Sequence, residues 1–599
     1  MKFKPVFCIF VFACLINSEN SYALIINTIL PQQIAKNTNF SIQPVLSTGE
    51  TPARWVKMLG PDWVNVSQAS GTISGLTPDT GEAHYIQIKA FSAGGYGTMT
   101  FILIVGSQNI FRMNGQDGNP ASIQAAYSLM SAGDILIIPD GTYEGIENTI
   151  NGSTGDCVVK NGNAGNYTTV IAENPNSANL PRVYHKGGEY IAYKGLELAT
   201  GLTIDGDLRF NIRSNHIKVM MCGAMSGGFG AQYGATDILF EDCFAYGNSR
   251  AVFRIGSTGN NSDRIIFRRC VARHDLSTSS EPTATFMHYG GQNILFQNCI
   301  AIDQATDPEN FAAAYDVYGA WETKNGYNIF VKDSIALNIV HNFHYGDTST
   351  DNVRFSNCVF WSVGTANTSL APNTVYDRLT IGNVNAQNTE NTFTDRSGST
   401  SVYFTNSIFH DIEGTGTETG YRSKTILYLA PESSNNLFNP VQADLTIGDT
   451  TEIITGIDPV DGNPGNGVAG ILYPVKIEPA SDCDTRGVGA TILYRRGSHG
   501  ALWGEQGYDE LTGDSLWPWP NEDQIREKMA AYNYNQDGIV VTGARGFAAG
   551  NSLDGTPQTL TKYIWERLGN IIPPEIYTPP PSNAPDATPP AVPTGINVH

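Results

Sequence analysis

The sequence predicts an all-β protein: a right-handed parallel β-helix preceded by a small β-sandwich, with a short helical C-terminal tail. A six-residue pattern repeats at irregular long intervals, with an aliphatic residue first, Phe or Val third and Cys or Ser sixth. Residues two apart on an extended strand share a face, so a bend must return the sixth residue to the interior. A strand, a bend and a second strand, repeated in this way, are typical of a solenoid coil. The pattern begins at Ile217, Ile238, Ile265, Ile294, Ile329, Val353 and Val402.

The sixth position of the pattern predicts a ladder of small side chains inside the solenoid. Stacked coils lie about 4.8 Å apart, so equivalent residues should pack on one another. The gap before the last repeat is wide enough for two turns or for one long loop. The ladder positions are Cys222, Cys243, Cys270, Cys299, Ser334, Cys358 and Ser407.

The first 23 residues have the features of a secretory signal peptide. Lys2 and Lys4 precede an apolar run, and Ser21-Tyr22-Ala23 resembles a cleavage site. We therefore expect a protein that is secreted or held at the cell surface. An odd number of Cys remains, mostly at ladder positions, which argues against a disulfide framework.

Residues 24–106 predict the β-sandwich, because alternating strands such as Tyr85–Ile88 and Met99–Val105 are separated by turn-rich segments. Residues 71–81, followed by this strand pair, resemble bacterial cadherin-like or putative-Ig repeats. The resemblance implies an Ig/cadherin-like fold and a spacer or adhesive role for this module.

The remaining chain divides into three parts. Residues 107–482 should form the β-helix, and an amphipathic helix at 122–131 should cap its open N-terminal end. Residues 483–577 form a Trp-rich segment with helices near 522–532 and 559–568, which could cap the far end. Residues 578–599 read as a Pro-rich linker.

Charge excludes some partners. With 36 basic and 57 acidic residues, a net charge of −21, the surface should not hold nucleic acid by bulk electrostatics. Polyanionic sugars would also be repelled unless a cation or a local basic patch intervened. No segment after the signal peptide is long and apolar enough to span a membrane. We expect a monomer.

Residues 303–354 are the richest in groups that could carry chemistry. Trp321, Glu322 and Lys324 precede one coil, and His341, His344 and Tyr345 follow one coil later. This arrangement resembles the chondroitinase B and alginate lyase family of β-helix enzymes. The resemblance implies that Lys324 is the catalytic base and that His344, which stands where the family has arginine, assists it.

The same resemblance implies β-elimination on an extracellular uronate polysaccharide, in which a base removes the proton beside a carboxylate. The candidate substrate-binding residues are Arg254, His288, Tyr289, Trp321, Glu322, His341 and Tyr345. No metal ligand can be assigned, because Val317 and Gly319 occupy the places of the family's calcium-binding acids, although Ca²⁺ stays a candidate cofactor.

Two alternatives stay open. A glycoside hydrolase needs two carboxylates flanking a groove, which Asp316, Glu322, Asp347 and Asp351 could supply from adjacent coils. A non-catalytic surface or adhesive protein is favoured by the cadherin-like module, the missing calcium acids and the negative charge.

Overall fold

The computed structural model describes residues 24–577, with gaps inside this range. The signal peptide and the Pro-rich linker predicted above therefore lie outside the described residues, as does Cys157. The segments left out within 24–577 are 48–50, 93–94, 117–118, 152–159, 200–207, 248–250, 257–260, 276–282, 305–316, 347–348, 368–372, 385–391, 394–401, 413–425, 428–433, 442–452, 455–457, 461–469 and 537–538.

The N-terminal module is a sandwich of two sheets. The four-stranded sheet has the order Gln32–Ile34, Gly95–Val105, Glu82–Ser92 and Arg54–Leu59. The three-stranded sheet has the order Asn39–Ile42, Ile73–Leu76 and Val64–Val66. Buried apolar residues, including Trp55, Ile86 and Phe101, fill the space between them. The predicted β-sandwich is present.

The rest of the chain as far as residue 454 is built around a parallel β-helix with three lateral faces, which we name A, B and C in chain order. Each coil passes from face A to B to C and then returns to A one coil further on. Several long strands turn a corner and so belong to two faces. A separate parallel pair, Thr392–Phe393 with Ile426–Leu427, lies outside the main sheet.

Face A comprises Ile110–Arg112, Ile135–Ile138, Thr168–Ala172, the C-terminal parts of Val183–Lys194 and Phe210–Met220, Thr236–Glu241, Asp263–Arg268, the C-terminal parts of Thr283–Gln297 and Val317–Lys332, Asp351–Ser356, Thr374–Asp377 and Val402–Thr405. Face B comprises Gly141–Thr142, Ala178–Leu180, Leu196–Leu198, Gly223–Met225, Phe244–Gly247, Val271–His274, Ile300–Ile302, the N-terminal parts of Ile335–Gly346 and Val359–Asn367, Thr380–Val384, Ile408–Ile412, Asn436–Val441 and Ile453–Ile454. Face C comprises Ile150–Asn151, the N-terminal parts of Val183–Lys194 and Phe210–Met220, Phe229–Ala231, Ala251–Ile255, the N-terminal parts of Thr283–Gln297 and Val317–Lys332, and the C-terminal parts of Ile335–Gly346 and Val359–Asn367.

The six-residue pattern follows from the corner between faces A and B. Its fifth residue adopts a positive φ in every repeat, for example 54° at Asp242, 50° at Arg269 and 51° at Asn298. One left-handed residue redirects the chain, so the third and sixth residues both point inward. Asn and Asp are frequent at this position because they tolerate the left-handed conformation better than most residues.

The interior consists of stacked equivalents, as the sequence predicts. The ladder residues are buried with no more than 1% exposure, and the six cysteines in the described part of the chain are free thiols. Phe240, Phe267 and Phe296 stack on adjacent coils at ring separations of 4.8 and 5.2 Å. The wide gap before the last repeat contains an additional coil, in which Leu379 replaces Cys.

Short helices and hairpins flank the β-helix. Helix Ile123–Leu129 is N-capped by the Ser122 side chain, within the predicted range, and its buried face packs against the first coils. The C-terminal segment contains helices Asp482–Arg486, Glu522–Ala531, Leu560–Trp565 and Pro574–Tyr577. Its antiparallel hairpins pair Tyr494–Arg496 with Leu511–Ser515 and Asn533–Gln536 with Ile539–Thr542. Short 3-10 helices at Ile146–Asn148, Gly546–Ala548 and Glu566–Leu568 complete the described elements.

The C-terminal segment runs back along the side of the β-helix, whereas its sequence favours an end cap. Gly489 N–H donates to the Asn406 carbonyl, Thr491 N–H to Asn357 Oδ1, and Gly500 N–H to Glu241 Oε2. These partners belong to progressively earlier coils. Apolar residues of the segment, including Trp517 and Trp565, pack on face B.

Candidate functional site

Faces A and B are covered over much of their length. On face A, Lys194 and Lys218 pair with Glu82 of the sandwich, and Leu239, Ile266 and Leu295 lie beneath Leu502. On face B, the C-terminal segment forms the large apolar cluster described above. Among the described residues, face C is the lateral face that neither module covers in this way.

Two lines of side chains project outward from face C. Backbone register places Asn211, Gly230, Arg254, Met287, Glu322 and Tyr345 on successive coils, and we call this line outer row 1. The second line, outer row 2, contains Lys186 beside Arg213 at one end and Tyr289 beside Lys324 at the other. Residues between the rows point into the core.

Five of the predicted site residues lie on this face. Lys324 Nζ lies 3.4 Å from Glu322 Oε1, and it lies 5.9 Å from the Tyr289 ring centre and 5.3 Å from that of Tyr345. The Lys324 side chain is 14% exposed, while that of Glu322 is buried. Arg254 stands two coils earlier in outer row 1 and is partly exposed. We call these five residues the Lys324 cluster.

Three predicted site residues lie inside the β-helix. His288 and His344 are fully buried, and Trp321 stacks on the interior Phe286 at 5.3 Å. His344 forms hydrogen bonds with the Thr323 hydroxyl at 2.9 Å and the Tyr376 hydroxyl at 2.6 Å. Burial lowers the pKa of His344 to about 3 and that of His288 to about 4.

His344 therefore does not meet Lys324 at a common surface, contrary to the sequence prediction. Its register partner is Trp321, an inward residue, and the neutral ring is held among core aromatics. We leave His288, Trp321 and His344 out of the site. The side chain of His341 lies outside the described residues.

A second cluster on face C was not predicted. The Arg213 guanidinium lies 4.7 Å from the Tyr184 ring centre and 3.7 Å from that of Tyr233, and Arg182 lies 4.8 Å from Tyr184. We call these residues the Arg213 cluster. They precede or fall between the recognisable repeats, so the six-residue pattern did not align them. Alternation of Tyr184 with Lys186 and of Asn211 with Arg213 was the available signal.

Face C reverses the charge balance of the chain. Acidic residues outnumber basic residues by 57 to 36 overall. The described strands of face C carry the basic residues Lys186, Arg213, Arg254 and Lys324 against one acidic residue, Glu322. This is the local basic patch that a negatively charged protein needs before it can hold a polyanion.

Acidic groups do not form an equivalent site among the described residues. Glu241, Asp242 and His499 bring possible metal ligands within 4.8 Å of one another. However, Glu241 already pairs with Arg268 at 2.8 Å and Arg269 at 2.7 Å, so its charge is balanced. These residues do not fit a cation site.

The carboxylates of the hydrolase alternative do not form a pair in the described part of the chain. Asp351 accepts a hydrogen bond from Asn373 at the corner between faces C and A, and its register partner is Tyr327. It therefore lies off the outer rows that contain Glu322. Asp316 and Asp347 lie outside the described residues.

Comparisons with known proteins give distant structural neighbours. No family model matches the sequence, and no curated protein matches it. An alginate lyase from Paenibacillus sp. is 11% identical, covering 56% of this chain and 95% of that chain, with a TM-score of 0.27. A PL6 alginate lyase in complex with a trisaccharide is 10% identical, covering 64% and 94%, with a TM-score of 0.36. The catalytic domain of a GH87 α-1,3-glucanase is 12% identical, covering 64% and 76%, with a TM-score of 0.29.

None of these similarities assigns the chain to a family or an activity. Among the residues that the structure describes, no helix combines the length and hydrophobicity needed to cross a bilayer.

Proposed function

We propose that this protein acts outside the cell and binds an acidic polysaccharide along face C. Carboxylates of the polymer would contact Arg254 and Lys324, and sugar rings would pack on Tyr289 and Tyr345. The observation that carries the proposal is the concentration of basic and tyrosine side chains on face C of an otherwise acidic protein.

The chemistry of the Lys324 cluster suits a uronate. Arginine presents a planar fork to a carboxylate, and lysine presents a compact charge. Tyrosine combines an apolar ring face with a polar hydroxyl, which suits a sugar unit that has both kinds of surface. Met287, which is almost fully buried, packs with Tyr289 and Tyr345. The tyrosines are therefore held in place before a ligand arrives.

A binding experiment tests the proposal directly. The protein lacking residues 1–23 is titrated with alginate, pectate and chondroitin, and with a neutral glucan as a reference. We expect binding to at least one acidic polymer and none to the glucan. Arg254→Ala and Lys324→Ala should each weaken binding by at least about tenfold, because a charged hydrogen bond contributes about 1.5–3 kcal/mol.

Arg354→Ala is the matched control, because Arg354 is an exposed arginine on face A of the same β-helix. It removes the same charge and should leave binding unchanged. The proposal is wrong if no acidic polymer binds, or if Arg354→Ala weakens binding as much as Arg254→Ala does.

A second candidate function is cleavage of the bound polymer by β-elimination, with Lys324 as the base. Its position between two tyrosine rings favours this function, since hydroxyl and amine groups could exchange protons at one sugar unit. Lys324 Nζ also lies 3.4 Å from Glu322 Oε1, so the carboxylate helps to hold the amine in place.

Product analysis separates the candidates. β-Elimination removes the proton beside the carboxylate and breaks the glycosidic C–O bond, whose oxygen leaves as a hydroxyl group after protonation. The product has a double bond conjugated with the carboxylate, so ultraviolet absorbance should rise with the wild-type protein and not with Lys324→Ala. Reducing ends without absorbance would indicate hydrolysis instead. Binding without either product would leave a non-catalytic adhesive role.

A further inference from the structure

The Arg213 cluster lies at the opposite end of face C from the Lys324 cluster. Its central guanidinium is flanked by two tyrosine rings, and the Tyr233 side chain is 49% exposed. Within the described part of the chain, no carboxylate lies within ion-pair distance of Arg213. Arg213 Nε makes one long hydrogen bond, of 3.5 Å, to Asn211 Oδ1.

We infer that the Arg213 cluster is a second subsite for the acidic polysaccharide, so that the polymer lies parallel to the axis of the β-helix. The inference rests on the proposed function, because it concerns the same ligand on the same face. It adds a direction and a minimum length to the bound chain.

The stacked arrangement suits a sugar acid. Two tyrosine rings hold the guanidinium plane in place, which leaves its N–H groups directed toward an incoming anion. The exposed Tyr233 ring offers a flat surface beside that anion site. A uronate unit presents a carboxylate and an apolar ring face together, so one unit could engage both.

Backbone register sets the spacing between the subsites. The strand that contains Arg213 pairs with Phe229–Ala231, which pairs with the strand of Arg254. Thr283–Gln297 then separates the strand of Arg254 from that of Lys324. Arg213, Arg254 and Lys324 therefore occur on every second coil, about 10 Å apart along the axis of the β-helix at about 4.8 Å per coil. Arg254 stands in outer row 1, beside the line that joins the other two in outer row 2.

This even spacing favours a linear polymer with regularly repeated carboxylates. The two ends are four coil steps apart, or about 19 Å. A short oligosaccharide bound at Lys324 would reach Arg254 but not Arg213, whereas a longer one would reach all three. Affinity should then rise with chain length in two stages.

Calorimetric titration with acidic oligosaccharides of graded length tests the inference on the protein lacking residues 1–23. The oligosaccharides are prepared from the polymer that binds best. In the wild-type protein, affinity should increase with length until the ligand spans both clusters. In Arg213→Ala and Tyr233→Ala, the second stage of the increase should disappear, with about a tenfold loss for the longest ligands. Arg354→Ala should show the wild-type profile.

The outcomes separate this inference from the proposed function. Retention of the full two-stage profile in Arg213→Ala overturns the second subsite while leaving polymer binding intact. Failure of the wild-type protein to bind any acidic polymer overturns the proposed function, and the second subsite with it. Equal thermal stability of Arg213→Ala and the wild-type protein shows that a loss of affinity does not arise from unfolding.

Discussion

At the scale of single residues, the buried histidines link stability to pH. His344 is neutral inside the β-helix, and burial lowers its pKa to about 3. In the unfolded chain a histidine titrates near pH 6.5. Between these values the unfolded state binds a proton that the folded state does not. The contribution of His344 to the free energy of unfolding is therefore fully present above about pH 6.5, and it decreases as the pH falls toward 3.

We predict that His344→Gln reduces this pH dependence. Between pH 6.5 and 5, the free energy of unfolding should fall less steeply with decreasing pH in the variant, by up to about 1.4 kcal/mol per pH unit. Urea unfolding at several pH values measures the slope. Glu197 contributes in the opposite direction, because burial raises its pKa to about 7, but this contribution is common to both proteins.

Thr323→Ala provides the control for this experiment. It removes the hydroxyl that bonds to His344 and should lower stability while keeping the wild-type slope, since the histidine stays in place. Equal slopes in wild-type and His344→Gln proteins would show that His344 does not couple to folding as described.

The orientation of His344 shows why its position could not be predicted from alternation alone. In strand Ile335–Gly346 the register shifts between Ile339 and Asn342 as it pairs with Val359–Asn367. An irregularity of this kind reverses which side chains point inward beyond it. The sequence has no signal for this irregularity, so alternation alone placed His344 on the outer side of the strand, whereas the structure places it inside.

At the scale of elements, the corners determine the fold as much as the strands do. A second set of left-handed residues marks the corner between faces C and A, including Asn293, Asn328 and Asn352, with φ values of 55°, 58° and 52°. Asn328 Nδ2 donates to Asn293 Oδ1 at 3.0 Å, and Asn352 Nδ2 donates to Asn328 Oδ1 at 2.6 Å. The corner is therefore a hydrogen-bonded ladder of side chains.

Substitutions at Asn328 should separate backbone strain from hydrogen bonding. Asn328→Gly removes two side-chain hydrogen bonds but accepts a positive φ, so we expect a loss of about 1–3 kcal/mol. Asn328→Val loses the same bonds and also places a β-branched residue in the left-handed region, which adds about 1–3 kcal/mol. Chemical denaturation measures both. Equal losses would show that the left-handed conformation is not important there.

The sequence predicted the central coils and missed the early ones for a physical reason. Where the small ladder residue is Cys or Ser, from Cys222 to Ser407, the pattern is recognisable and the stacked interior is confirmed. Leu379 occupies the equivalent position in the additional coil with a larger side chain. The pattern was therefore interrupted, and the sequence left open whether this part of the chain forms two turns or one long loop. The strands that contain Tyr184 and Arg213 precede the first ladder residue. The six-residue pattern therefore could not show which of their side chains lie next to one another.

At the scale of the whole molecule, the C-terminal segment seals the solenoid laterally. Arg268 is fully buried on face A and donates to Glu241, to Gln297 and to backbone carbonyls of the segment, including Ser498 at 2.6 Å and Tyr508 at 2.9 Å. A buried guanidinium is tolerated because its N–H groups are satisfied in this way. Face A therefore depends on the segment for both apolar cover and hydrogen-bond partners.

Leu502→Ala should weaken this attachment without affecting face C. Leu502 is 3% exposed and packs on Leu239, Ile266 and Leu295, so truncation should cost about 2–5 kcal/mol. Leu511→Ala is the control in the same segment, because Leu511 is 36% exposed and should lose less than about 0.5 kcal/mol. Thermal unfolding and limited proteolysis of residues 483–577 measure the difference.

Polymer binding provides the second readout of the same variant. The described residues of the segment cover faces A and B, whereas the Lys324 and Arg213 clusters project from face C. Folded Leu502→Ala protein should therefore bind the acidic polymer with wild-type affinity even though its segment is cleaved faster. Weakened binding in Leu502→Ala with unchanged binding in Leu511→Ala would mean that the ligand contacts the C-terminal segment, and the ligand would then not be confined to face C.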